Sequence, residues 1–282
     1  MEEYAHPEVL VDTSYVKSVL GHPDVRVVEV DYDPTANYNQ GHVPGSVLID
    51  WRKDINDPVA RDLVSKEGLE QLLGGLGISN DHRIVLYGDF NNWFAAFTFW
   101  VLKYYGAEKV VLLNGGRKKW IAEDLPLTKD VREFPATTVK LKAADESIRV
   151  YLDYVRSAIR MQDKVLVDVR SPKEFSGEVL APPEYPTEHA QRGGHIPGAK
   201  NIPWAQAVND ADGTFKSMDD LRALYQGKGV TPDKEVIAYC RIGERSSHTW
   251  FVLKYLLGYP NVKNYDGSWT EWGNLIRTPI EK

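Results

Sequence analysis

One cysteine stands in 282 residues, at position 240, beside only three methionines. A lone thiol excludes an intrachain disulfide and an all-cysteine metal site, and it suits a reducing compartment. No apolar run approaches the roughly 20 residues of a membrane-crossing helix. The opening stretch "MEEYAHPEVLVDTSYV" is acidic and lacks the basic-then-apolar order of a secretion signal, so a cytoplasmic protein away from membranes is expected. Positive charge is short as well: 34 Lys and Arg against 40 Asp and Glu leave a net −6. That balance argues against nucleic acid as a partner, and an anionic substrate would need a local positive pocket. Apolar residues are plentiful, at 43% of the chain, enough with this length for two ordinary cores.

The chain repeats itself. "GHVPGSVLIDW" (41–51) returns as "GHIPGAKNIPW" (194–204), 153 positions later. Strand-like runs precede each copy, "RVVEVD" (26–31) and "KVLVDVR" (164–170), and further apolar runs follow, "RIVLY" (83–87) and "EVIAY" (235–239). Helical segments sharing "VLKY" (101–104 and 252–255) come next, then "VVLLNGGRKKW" (110–120) and "VKNYDGSWTEW" (262–272). This order marks a duplicated domain. Short β-branched runs alternating with helical segments imply, in each copy, a mainly parallel sheet with helices on both faces. The expected layout is a first domain over 1–135, a polar linker over 136–148 and a second domain over 149–282. "KEGLEQLLGGLG" (66–77) and "MDDLRALYQGKG" (218–229) read as amphipathic surface helices.

The copies differ at the cysteine. Counted from the shared "VLKY", Cys240 falls opposite Asp89; counted from the shared tyrosines, it falls opposite Gly88. On either count, thiol chemistry belongs to the second copy. Cys240 ends an apolar strand in "VIAYCRIGERSSHTW", and Ser246 or Ser247 is a good N-cap for a helix running to Gly258. Ligands of open α/β sheets bind where strand ends meet helix starts, and a tight loop there turns its N–H groups inward as an anion nest. Gly243 suits a turn that needs positive φ. Arg241, Arg245, the amides and the helix dipole should all favour the thiolate. A free cysteine is often merely a small buried hydrophobe, but this placement points to a nucleophile.

These motifs resemble a two-domain rhodanese, a sulfurtransferase of the thiosulfate or 3-mercaptopyruvate type. "GHVPGS" and "GHIPGA" match one family signature, "YDGSWTEW" the C-terminal one, and "CRIGERSS" sits at the active-site loop. The resemblance implies ping-pong transfer through a Cys240 persulfide, from a small sulfur donor to a thiol or cyanide acceptor. It calls for no metal and no organic cofactor. The loop Arg241, Ile242, Gly243, Glu244, Arg245 and Ser246 would bind the donor. A cysteine phosphatase needs five residues between cysteine and arginine, whereas only four separate Cys240 from Arg245. Arg241 favours thiosulfate; Ile242 lacks the second cation of thiosulfate-using relatives, so 3-mercaptopyruvate and a slow sulfur-relay module stand as alternatives.

Glu174, in "DVRSPKEF", resembles the acidic residue of single-domain rhodaneses that pairs with the loop arginine, which implies a Glu174–Arg245 ion pair fixing the loop. Asp168 and Arg170 support neighbouring loops or contact substrate, and Asp266, Ser268 and Trp269 form the back wall. The resemblance places Trp204, with Trp93, Phe94 and Tyr32 of the first copy, around the persulfide. His42 and His195 occur in both copies and so read as structural. His248 is expected on the solvent side. The insertion at 176–194 is expected to be an Ω-type loop offering Arg192 as an extra cation. Because duplication supplies an internal pseudo-dimer, a monomer is expected.

Overall fold

A computed structural model describes residues 3–182 and 189–282. The chain divides into two compact units. One holds Glu8–Asp145 with Asn209–Phe215; the other holds Glu146–Val208 and Lys216–Lys282 together with the residues before Glu8. Residues 183–188, within the expected Ω-type loop, lie outside the described residues.

Each unit is built on a five-stranded sheet in which every pairing is parallel. In the first the order is Leu10–Val11, Val110–Leu113, Arg83–Tyr87, Val25–Asp31 and Val47–Asp50. In the second it is Arg149–Val150, Val262–Tyr265, Glu235–Tyr239, Lys164–Asp168 and Lys200–Asn201, the same order again. The central strands explain why such a sheet forms. "RIVLY" and "EVIAY" are continuous apolar runs, buried at every position after the first. That is the pattern of a strand covered on both faces. In the second unit one face packs Val155, Ile196, Tyr239, Tyr265, Trp269 and Trp272 into a cluster whose members are nearly or wholly buried. Full burial of each large apolar side chain contributes about 1.5–3 kcal/mol.

The two repeated histidines do the same job in each copy. His42 stacks on Tyr38 with ring centres 3.7 Å apart and bonds the Tyr38 carbonyl through Nδ1; His195 stacks on Phe175 at 3.6 Å and bonds the Phe175 carbonyl. Their backbones bridge to Thr128 and Glu281. In both copies the ring ties a carbonyl and an aromatic neighbour of its own unit, the arrangement of a structural pin.

The amphipathic segments form helices at Lys66–Gly75 and Met218–Gln226. The segment expected as a linker carries no strand as far as Ile148, and the N–H groups of Thr137, Lys142 and Asp145 donate to the carbonyls of Gly74, Tyr105 and Tyr104. The helix after the cysteine begins earlier than its serines suggested. It spans Glu244–Phe251, with left-handed Gly243 (φ +92°) as its cap, so Ser246 and Ser247 lie inside its first turns. It continues as a π-turn over Val252–Leu256.

Candidate active site

Strand Glu235–Tyr239 delivers Cys240 to the carboxyl edge of the sheet, and the loop turns at once into the helix at Glu244. Cys240 is fully buried. Groups of the loop and of the following helix reach its sulfur. The Gly243 N–H donates to Sγ at 3.2 Å, the Ser246 hydroxyl oxygen lies 3.6 Å away with its proton on Asn264 Oδ1, and Sγ lies 3.4 Å from Glu244 Oε2, where the S–H is the donor. Gly243 holds its place because no other residue fits. A Cβ there would stand 2.7 Å from Asp266 Oδ1 and 3.0 Å from Asp266 Cα, besides the positive φ.

The C-terminal motif clamps this loop from behind. The Cys240 N–H donates to Ser268 Oγ at 3.0 Å. The first N–H groups of helix Ser268–Trp272 then accept duty as donors to the loop: Trp269 N–H to the Cys240 carbonyl at 3.1 Å and Thr270 N–H to that of Arg241 at 2.9 Å. Asp266 is held by Arg149 at 2.5 Å. Asn264 Nδ2 donates to the Gly243 carbonyl at 2.9 Å, and its Oδ1 accepts from Ser246 at 2.6 Å. These bonds occupy polar groups that helix starts and tight turns would otherwise leave unsatisfied.

The expected ion pair is present. Arg245 donates to Glu174 through both terminal nitrogens, at 3.0 and 3.1 Å, with both residues buried. Burial alone would raise Glu174, but the facing guanidinium outweighs it and holds the carboxyl down at about 2. Glu174 also closes a capping box with Ser171, which fixes the short helix Pro172–Ser176 that carries it.

Several expectations need correction. The loop does not favour the thiolate as a whole: burial, then the Glu244 carboxylate, push the Cys240 thiol up, while Arg245 and the Ser246 amide pull the other way. Glu244, the acid between the two arginines, is what works against them. His248 is fully buried, not on the solvent side, and meets Trp204 edge-on at 5.0 Å. Arg192 is not an extra cation for substrate. Its guanidinium donates to the carbonyls of Gly273, Trp272, Leu275 and Thr278 and thereby ties the end of the C-terminal helix.

Asp168 and Arg170 pair with each other at 2.6 Å, and Arg170 also donates to the Gly194 carbonyl and stacks over Trp269, so their loop-holding role is the one on display. Arg241 and Ile242 complete the loop, and Arg241 is 2% exposed. Trp93, Phe94 and Tyr32 belong to the other unit, where they form one continuous aromatic stack. Asn264 and Arg149 were missed. A polar Asn in an otherwise buried strand was the one available signal for the first; Arg149 sat at the edge of a presumed linker.

Sheet register settles the comparison of the two loops. Arg83–Tyr87 and Glu235–Tyr239 hold the same place in their sheets, so Gly88 is the residue opposite Cys240. The first copy places acids here instead of a thiol, Asp89 in the loop and Asp31 at the end of the neighbouring strand. Asp89, beside Asn37, is raised to about 6 by burial. Asp31 is raised to about 8 by burial and by its neighbours Glu29 and Asp89. Phe90, Asn91 and Asn92 all have positive φ, a strained run for non-glycine residues.

Comparison with known proteins agrees with this architecture. The Rhodanese-like domain matches twice, over residues 12–123 and 152–275. The chain is 58% identical to the sulfur carrier protein TtuD of Thermus thermophilus, over 99% of this chain and 98% of that one. It is 54% identical to a Haloferax volcanii protein that bears the name "Putative thiosulfate sulfurtransferase", over 98% and 96% of the two chains. Among solved structures, an anaerobic ergothioneine biosynthesis enzyme from Chlorobium limicola superposes with a TM-score of 0.85 at 27% identity, covering all of this chain and 72% of that one. Another, of EanB with ergothioneine linked to a persulfide cysteine, gives 0.85 at 25% identity, covering all of this chain and 71% of that one. With two matched domains, one carrying a buried cysteine at the end of its central strand, the chain belongs to the rhodanese-like family.

Proposed function

We propose that the protein is a thiosulfate sulfurtransferase whose Cys240 carries the sulfur as a persulfide. The observation that supports this most is the loop itself. A buried cysteine receives the Gly243 N–H on its sulfur, and the loop is held rigid by Glu174–Arg245 in front and by helix Ser268–Trp272 behind. In the first half-reaction, Sγ attacks the sulfane sulfur of thiosulfate. A Sγ–S bond forms, the donor's S–S bond breaks, and sulfite leaves with the electron pair. In the second, a thiol or cyanide removes the outer sulfur and restores Cys240. Arg245 is neutralised by Glu174, which leaves Arg241 as the cation for the dianionic donor.

The names of the relatives favour two uses of this chemistry, thiosulfate turnover and sulfur carriage. A carrier loads as readily as an enzyme but releases sulfur slowly to small acceptors. The test is thiocyanate formation from thiosulfate and cyanide, beside 3-mercaptopyruvate and a Cys240→Ser control. Steady turnover with thiosulfate, absent in the control, supports the enzyme reading; loading without turnover supports the carrier. Preference for 3-mercaptopyruvate would overturn the choice of donor.

A further inference from the structure

Cys240 and Glu244 are 0% and 1% exposed, so the thiol proton has no water to receive it directly. Among the described groups that reach Sγ, the Gly243 and Ser246 N–H groups are donors only, and the Ser246 hydroxyl donates to Asn264 Oδ1 at 2.6 Å. Glu244 Oε2, at 3.4 Å, is the base among these groups. Glu244 opens an eight-residue helix whose N-terminal dipole favours an ionised carboxylate.

Charged and titratable groups surround the pair: Arg245 acts on both Cys240 and Glu244, and His248 is buried one turn further along the same helix. On the same helix Arg245 turns to Glu174 of Pro172–Ser176; behind the loop Asp266 is tied to Arg149; Arg241 lies within the loop. A thiolate formed by losing its proton to bulk would leave two buried negative charges facing each other; burial and Glu244 outweigh the opposing pull of Arg245 on the thiol. A proton passed from one to the other keeps the pair at a single charge.

We propose that Glu244 is a catalytic residue, the general base that takes the Cys240 thiol proton as the sulfur donor is attacked and returns it to the outer sulfur of the persulfide. The inference rests on the sulfur-transfer reading above. The step balances as enzyme thiol plus thiosulfate giving enzyme hydropersulfide plus sulfite. Sγ–H breaks and the proton rests on Glu244. The Sγ–S bond forms as the donor S–S bond opens, and the proton moves from Glu244 to the new terminal sulfur. In the return reaction, Glu244 takes that proton as the outer sulfur departs to the acceptor and hands it back to Sγ.

The experiment is single-turnover loading by thiosulfate, followed as mass gain, for the parent and Glu244→Gln across neutral pH. The parent is expected to load at a rate nearly flat with pH, because the pair keeps one proton throughout. Glu244→Gln is expected to load about 100-fold more slowly near pH 7 and to recover about tenfold per pH unit. A carboxylate that only raised the thiol would do the reverse, and a variant loading as fast as the parent, or faster, overturns the proposal. In deuterium oxide the parent should slow by about twofold, since a proton is in flight; no slowing also overturns it, and this needs no variant to fold. A parent that takes no sulfur from thiosulfate or 3-mercaptopyruvate overturns the sulfur-transfer reading itself. A parent that loads beside an unimpaired variant overturns only the role of Glu244.

Discussion

Arg245 grips Glu174 with both terminal guanidinium nitrogens, at 3.0 and 3.1 Å, across 71 residues of sequence, and neither side chain is more than 5% exposed. The pair joins the helix that begins at Glu244 to the helix Pro172–Ser176, and with them the two sides of the cysteine loop.

Glu174→Gln should therefore strip a buried cation of its partner. Breaking such a pair costs about 3 kcal/mol, and the loosened loop should lower sulfur loading by about 10- to 100-fold. The carboxyl is held at about 2 against an ordinary 4.5. Its stabilising share is thus complete above about pH 4.5 and is lost as pH falls through about 2, a span equivalent to ~3 kcal/mol. Urea unfolding of the parent and the variant should converge in acid and separate above it. Equal midpoints near pH 7 would contradict the account.

Gly243→Ala tests the turn. The added Cβ meets Asp266 on backbone carbon and side-chain oxygen, and φ of +92° is unfavourable to it. A loss of about 1–3 kcal/mol in stability is expected, together with loss of loading, because the Gly243 N–H that meets Sγ must move. Retained loading with an unchanged unfolding midpoint would show that the turn tolerates a side chain.

Much of this was legible in local pattern. The duplication follows from two copies of the same ordered runs, and the strand ending at Cys240 from its apolar run, whereas the Glu174–Arg245 pair came from the family resemblance. What escaped depended on where the helix starts and what covers it. Ser246 and Ser247 are good caps by residue type, yet left-handed Gly243 begins the helix earlier, and that shift brings Glu244 to face Sγ. His248 was assigned to solvent by its polarity, but all eight residues of this helix are buried, so no polar face exists for it to join. Arg192 is one cation among many in sequence; only the fold shows four carbonyls converging on it.

The first unit gives a pH signature of its own. Asp31 is raised from 3.8 to about 8, chiefly by burial, with its carboxyl facing Glu29 and Asp89. The folded state then holds a proton that the unfolded chain has released, so stability falls as pH rises between those values. Asp31→Asn should remove that part of the decline, leaving the variant about 1–3 kcal/mol more stable relative to the parent near pH 8 than near pH 5. Parallel urea-midpoint profiles for the two proteins would contradict the protonated Asp31.

Donor-free protein should carry a thiol. Burial and Glu244 raise Cys240 from its ordinary 9.0. The ultraviolet thiolate absorbance, taken as the difference from Cys240→Ser, should be missing near pH 7 and grow only in alkali. A full thiolate signal near pH 7 would show that Arg241 and Arg245 outweigh the acid after all.

The most direct measurement is intact mass after incubation with thiosulfate, and separately with 3-mercaptopyruvate, beside Cys240→Ser. The account predicts a gain of one sulfur atom from thiosulfate, removed by cyanide and absent in the variant. No added sulfur on folded, reduced protein, or the same gain in the variant, would contradict a persulfide at Cys240.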